Sequence, residues 1–525
     1  MTKARNEVLQ ICVYCQTGYV WECILRLKIF SYLNPLAGLL LLTLAAVAID
    51  GYHLGADDSA IYVPAIKRVA DPALYPFGAE FFMTHAHLSL FSDIVGQSAR
   101  LTHLPVDTVI FLWHIAGVFL LLVAAWQLLG ACFESQAARW GGVALLAALL
   151  SVPVAGTALS VMDPYLTARS LSTPATLFAV ASFASGKTWR AAAWLLLTAL
   201  VHPQMAMYGV VFLCLLTMLA NRRTQPALAA LSSPFPLLFD FQPSAGPARE
   251  ALVSRSYFLV SNWMWYEWIG VIAPLAICWW LARRDTAGTK PAFRLLLRAI
   301  LPFGLLFTFA GILLTASSHF ENLTRLQPMR AFHLVYLIFF VFLGGLLGEH
   351  LLRRTTWRWA ALFVPLAACM WFVQHDAYPA SLHVEWPGGT HKANAWDEAF
   401  YWIRDNSPKN AVFAIDPGHM LRHGEDMHGF RAVAERSMLA DAVKDSGAVS
   451  LFPQLAEHWK QQVNAQLGLE HFTAEDFRRL ENLYPVTWVV TSQPTPPGCT
   501  CPYSKDGLSV CRIHADLPFA TALIH

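Results

Sequence analysis

The sequence predicts an α-helical polytopic membrane protein with about eleven transmembrane helices and a small C-terminal extracytoplasmic α/β domain. Three observations predict it. Hydrophobic residues make up 56% of the 525-residue chain and charged residues only 14%, a balance foreign to a water-soluble globule. The apolar residues gather into repeated runs of roughly 15 to 22 residues, near the length that crosses a hydrocarbon core of about 30 Å as a helix. Beyond residue 375 the runs stop and the composition turns to mixed polar and apolar sequence, which marks a domain boundary.

The expected organisation is a cytoplasmic N-terminal segment 1–32, a transmembrane domain 33–375 with a large first external loop 51–105, and an extracytoplasmic domain 376–525. The apolar runs are 33–50, 106–130, 140–157, 171–185, 190–201, 204–220, 227–241, 267–282, 296–316, 331–348 and 359–374. Glu7, Gln10, Glu22 and Arg26 interrupt the N-terminal segment, so the first run reads as a retained signal-anchor and not a cleaved signal peptide. Lys3, Arg5, Arg26 and Lys28 place the N-terminus in the cytoplasm. Lys187, Arg190, Arg222, Arg223, Arg283, Arg284, Lys290, Arg294, Arg298, Arg353, Arg354 and Arg358 fall on that same face. An odd number of spans sends the C-terminal domain to the side that holds the first loop. The net charge of +2 hides this asymmetry between loops and says nothing about nucleic acid, and no basic tract suggests such a partner, so none is expected.

In the C-terminal domain, 395–404, 453–467 and 473–482 read as helices, 411–415 and 486–491 as buried strands, and 508–513 as a hairpin strand. It contains no glycine-rich phosphate loop and no nucleophile-elbow pattern. Cys12 and Cys15 form an isolated C-x-x-C without a second pair, and read as incidental. A turn at 502–508 brings Cys499 or Cys501 opposite Cys511, so one disulfide is expected there.

Chemistry is expected where polar residues cluster beside the membrane. Asp57 and Asp58 follow the first run directly; adjacent carboxylates repel, so they make a general base or a metal ligand, or else Asp58 simply caps a helix. His85 and His87 form an H-x-H, a metal pair or plain polar surface. Asp163 and Arg169 lie between two later runs, His202 at a run's end, and Arg325 and Arg330 just before another. Ionisable groups at a bilayer boundary are costly and default to functional candidates, although arginine also snorkels there. Arg431 and Arg436 are candidates to reach this site from the C-terminal domain, and Trp263, Trp265, Tyr266 and Trp268 have the make-up of an interfacial belt.

These features in this order resemble the GT-C superfamily of membrane glycosyltransferases, closest to a bacterial branch carrying a membrane domain of unknown function. The resemblance implies a GT-C-like, inverting transferase in the bacterial inner membrane. It would move a sugar from a polyprenyl-phosphate-linked donor to an envelope glycan, lipid or protein acceptor at the outer face. It also implies roles: Asp57 or Asp58 as base or as ligands of a divalent cation (Mg or Mn), Asp163 assisting, and Arg169, His202, Arg325 or Arg330 on the departing lipid phosphate. Family members often carry Asp-Glu in the first loop or Asp-x-Asp later; here the pair is Asp-Asp and the later position is Asp163 alone. The competing class is a non-catalytic transporter or scaffold for lipid-linked or envelope glycans. Transporters bury charge near the bilayer midplane, whereas the runs here are nearly free of it.

Overall fold

The computed structural model describes residues 34–220, 243–388, 394–493 and 496–513. The N-terminal segment 1–32 with Cys12 and Cys15 and the apolar run 227–241 lie outside the described residues. The chain is mostly helical, and among the described residues six helices are long and apolar enough to cross a membrane: Val106–Cys132, Pro203–Ala220, Trp265–Ala282, Pro291–Thr315, Ser318–Leu352 and Thr356–Ala377. In Thr356–Ala377 only 6% of the most apolar window is buried, and Trp357, Val364 and Phe372 point outward, an arrangement suited to lipid.

Among the described residues these six do not confirm the expected count of about eleven spans. Pro35–Asp50, Gln136–Ala148, Arg169–Ala184 and Thr188–Val201 are helices of 16, 13, 16 and 14 residues. At 1.5 Å per residue they are about 20 to 24 Å long, short of the hydrocarbon core. The run 140–157 departs furthest, because its helix stops at Ala148 and the chain continues through a turn in which Val154 donates to Leu159 O at 2.7 Å.

Glycine sets the closest helix packing. A Cβ at Gly141 would lie 2.4 Å from Gly344 O, and one at Gly344 would lie 2.5 Å from Gly141 O, so the helices Gln136–Ala148 and Phe332–Leu346 touch backbone to backbone. The surrounding core is continuous from Leu39 through Leu121, Leu146, Phe212 and Phe303 to Phe332.

The segment 51–105 folds into three helices, Ser59–Ala70, Glu80–Ala86 and Phe91–Thr102. The C-terminal region forms one five-stranded sheet of β1 (Val412–Ile415), β2 (Ser437–Met438), β3 (Trp488–Thr491), β4 (Cys499–Lys505) and β5 (Leu508–Ile513). Its order is β2-β1-β3-β5-β4, parallel among β2, β1 and β3 and antiparallel among β3, β5 and β4. Strands β1 and β3 are buried throughout, as a sheet covered on both faces requires. Cys501 bonds to Cys511 across the β4–β5 hairpin, and Cys499 is free.

The first loop and the sheet region pack into one body. Tyr52 bridges Val384, Ala56 bridges His428, and Gly429 N donates to Gly55 O at 3.0 Å. Lys67, 1% exposed, donates to Ala432 O and Glu435 Oε1 at 2.8 Å each and pairs with Asp107 Oδ1 at 2.7 Å. Tyr75 donates its hydroxyl to Arg431 O at 2.8 Å.

Candidate functional site

The site begins where the first apolar helix ends. Gly51, at φ 77°, turns the chain out of Pro35–Asp50 in the left-handed region, which costs glycine little. Asp57 is left-handed as well, at φ 49°, and its amide donates to Met427 O at 2.9 Å, so the C-terminal region fixes this turn. Asp58 precedes the helix Ser59–Ala70 but its side chain makes no capping bond there. Both carboxylates are turned to other partners.

Those partners come from two distant segments. Tyr165 donates its hydroxyl to Asp57 Oδ2 at 2.9 Å. Arg169 Nη2 donates to Asp58 Oδ2 at 3.0 Å and to Asp163 Oδ2 at 2.7 Å, while its Nε adds a bond to Asp163 at 3.1 Å. Thr167 completes the Asp163 shell with a hydroxyl at 3.2 Å. From the C-terminal region, Lys444 Nζ pairs with Asp57 Oδ1 and lies 3.3 Å from Asp58 Oδ1. The side chains of Arg169, Asp163 and Lys444 are 5%, 5% and 7% exposed, against 28% for Asp58 and 39% for Asp57. The floor is thus a buried ion network and the acidic pair forms its accessible rim.

Charge is arranged unevenly across the cluster. Burial alone would raise the Asp58 carboxyl, but Lys444, Arg169 and Arg330 together outweigh it and hold Asp58 well below the usual carboxylate range. At Asp163 burial wins, helped by the negative Asp58, and the carboxyl is raised despite Arg169. Burial would lower the Lys444 ammonium, yet Asp57 and Asp58 raise it. Burial lowers the His85 imidazole to about 4, so this ring is neutral near pH 7.

Most of the residues anticipated from the sequence gather here. Arg330 acts electrostatically on Asp58, its guanidinium lies 5.4 Å from the Tyr257 ring, and its buried Nε has no hydrogen-bond partner. His85 and His202 both feel Arg169 and Arg330. Two residues go elsewhere. His87 is exposed beyond the end of the helix Glu80–Ala86, so it does not face the cluster with His85; residues two apart on a helix diverge. Arg325 Nη2 donates to Ser244 Oγ at 3.3 Å.

The C-terminal arginines serve the fold. Arg431 makes a bidentate pair with Asp445 at 2.8 and 2.9 Å, and Arg436 donates to the carbonyls of Arg404 and Ser407. Lys444 reaches the site instead. Asp441 Oδ1 accepts from the amides of Val443, Lys444 and Asp445, so a self-bonded turn presents the lysine. Tyr165 and Lys444 carried no spacing signal, since their partners lie 108 and 387 residues away. Trp263 is not part of an exposed belt, being 8% exposed and packed on Gly156, whereas Trp265 and Tyr266 are exposed.

Lys444 Nζ contacts both Asp57 and Asp58, so a divalent cation held by this pair would have to displace a buried ammonium. No protein-family model matches the chain, and no curated protein matches it.

Proposed function

We propose that the chain is a membrane glycosyltransferase of the GT-C type, moving a sugar from a polyprenyl-phosphate donor to an envelope acceptor at the outer face of the bacterial inner membrane. The observation that carries this reading is the convergence of Asp57, Asp58, Asp163, Arg169, Arg330 and Lys444 at one end of the apolar helices. The basic residues Lys187, Arg283, Arg284, Arg353 and Arg354 follow the opposite ends of Arg169–Ala184, Trp265–Ala282 and Ser318–Leu352, as an orientation with the cluster outside requires.

In this reading an acceptor hydroxyl oxygen attacks the anomeric carbon from the face opposite the phosphate, and the configuration inverts. The bond from that carbon to the phosphate oxygen breaks, and its electron pair leaves on the phosphate. The hydroxyl proton passes to Asp57, the more exposed carboxylate of the pair. Arg330, with its unpartnered Nε, and Arg169 stabilise the charge that grows on the phosphate in a poorly solvated site. Asp163 positions Arg169 through two hydrogen bonds.

One observation favours a second reading, a non-catalytic transporter or scaffold for the same lipid-linked glycans: Lys444 already holds both carboxylates and leaves neither free to take a proton until substrate displaces it. The deciding experiment is transfer from radiolabelled polyprenyl-phosphate sugars to membrane acceptors by the intact protein and by Asp57→Asn and Asp58→Asn at matched folded amounts. Transfer lost in either variant supports the transferase. Transfer absent from the intact protein across a broad donor panel, or unchanged in both variants, supports the binding role.

A further inference from the structure

A second ionisable cluster lies beside the first and is not used by it. His53 Nδ1 is 3.0 Å and His428 Nε2 is 2.9 Å from the same oxygen, Glu385 Oε1, and one ligand atom of each residue lies within 4.8 Å of the others. Asp397 Oδ2 stands 3.6 Å from His428 Nε2. His53 and His428 are 0% exposed, Glu385 6% and Asp397 7%. Ligand atoms around a tetrahedral ion with bonds of about 2.1 Å stand roughly 3.4 Å apart, close to the separations of 2.9, 3.0 and 3.6 Å found here.

The supports of these side chains are those of a metal site. His428 Nδ1 bonds to the Glu425 carbonyl at 3.0 Å, which places the hydrogen on Nδ1 and leaves Nε2 as the lone-pair nitrogen. Glu385 Oε2 accepts the Leu54 amide at 2.8 Å, fixing the carboxylate and leaving Oε1 to the histidines. The His53 ring is held by stacking on Tyr378, centroids 3.9 Å apart.

Further buried polar atoms surround the cluster: Glu425 is 0% exposed and accepts a backbone hydrogen bond from Met427, and Asp397 Oδ1 and His53 Nε2 are buried without a hydrogen-bond partner. Three buried carboxylates face two imidazoles, and among the described residues no lysine or arginine pairs with any of them.

We propose that His53, Glu385 and His428, with Asp397 as the fourth ligand, bind one divalent transition metal of the zinc class. Two imidazoles with carboxylates suit such an ion, whereas calcium and magnesium take oxygen sets. A recess lined by Tyr52, Asp107, Glu385 and Arg404 supplies a route in from solvent. The role is structural. The ion clips the segment after the first apolar helix, the segment after the last one and the sheet region, joining residues 332 and 43 apart in sequence. It sits four residues from Asp57, whose own turn is held by Met427.

The test is metal analysis of the full chain purified in detergent, which needs no activity and so stands or falls apart from the transferase reading. About one zinc per chain is expected after dialysis against zinc and then buffer, in the intact protein and in the His87→Ala control, and background metal in His53→Ala and His428→Ala. Should those variants not fold, the intact chain stripped by chelator and reloaded with Co(II) is expected to show the intense visible absorption of a tetrahedral site. An intact chain that retains no stoichiometric metal, His53→Ala and His428→Ala proteins that keep the full amount, or a Co(II) protein without those bands would each overturn the proposal.

Discussion

Lys67 offers the sharpest measure of how firmly the first loop holds the sheet region. Replacing it with methionine keeps the bulk of the stem but removes the ammonium from Ala432 O, Glu435 and Asp107. Breaking a buried ion pair by deleting one partner costs about 3 to 5 kcal/mol. Two features reduce that here: Glu435 is 25% exposed and can recruit water, and Asp107 keeps Arg404 at 3.4 Å. A loss of about 2 to 4 kcal/mol remains after that discount. At about 1.4 kcal/mol per tenfold, the opened population rises by a factor of roughly thirty to several hundred. Limited proteolysis of the detergent-purified chain at low protease reads that population as a cleavage rate in 376–513. A rate within twofold of the intact protein would refute the assignment of Lys67 as the clamp.

Further outcomes follow from other contacts. Lys444→Met is expected to abolish the site's charge balance: the acidic pair loses its bridging cation, and Asp58 titrates at higher pH than in the intact protein, as read by carboxyl NMR or infrared difference spectra. His419 is 1% exposed and burial lowers its imidazole to about 4; the depressed value means its contribution, about 3 kcal/mol, is full above pH 6.5 and is lost as pH falls toward 4, so melting curves of His419→Gln should be flatter than those of the intact protein across that window. Cys511→Ser is expected to destabilise the β4–β5 hairpin by up to about 3 kcal/mol, while Cys499→Ser leaves chemical denaturation unchanged, because Cys501 bonds to Cys511 and Cys499 is free. Gly344→Val drives a side chain into Gly141 O and should cut the yield of monodisperse protein in size-exclusion chromatography sharply.

Apolar runs were legible because hydrophobicity is a local property, and the runs 106–130, 296–316 and 331–348 fall on helices. It reports water avoidance, however, and not conformation. The run 140–157 therefore looked like a span although its second half is non-helical, with Leu150 and Val154 buried in a turn. Buried strands β1 and β3 were readable from their short apolar runs, but two-residue β2 and half-exposed β4 were not. In the site, the adjacency of Asp57 and Asp58 was visible and their cations only in part. Arg169 and Arg330 stood out at helix starts, whereas Lys444 looks like any surface lysine until a turn built by Asp441 carries it inward. His53 and Glu385 were missed for the same reason, being single polar letters in linkers whose partners are hundreds of residues away.

The 387 residues between Asp57 and Lys444 also impose an order on biogenesis. At synthesis rates of about 5 to 20 residues per second, the acidic pair waits roughly 20 to 80 seconds on the ribosome for its lysine. During that interval Asp57 lacks the Met427 carbonyl that shapes its turn, and Lys67 lacks Glu435. Chains cut short between residues 378 and 443 carry all six membrane-length helices of the described residues and the Asp58–Arg169–Asp163 network, but lack the lysine that completes the cluster.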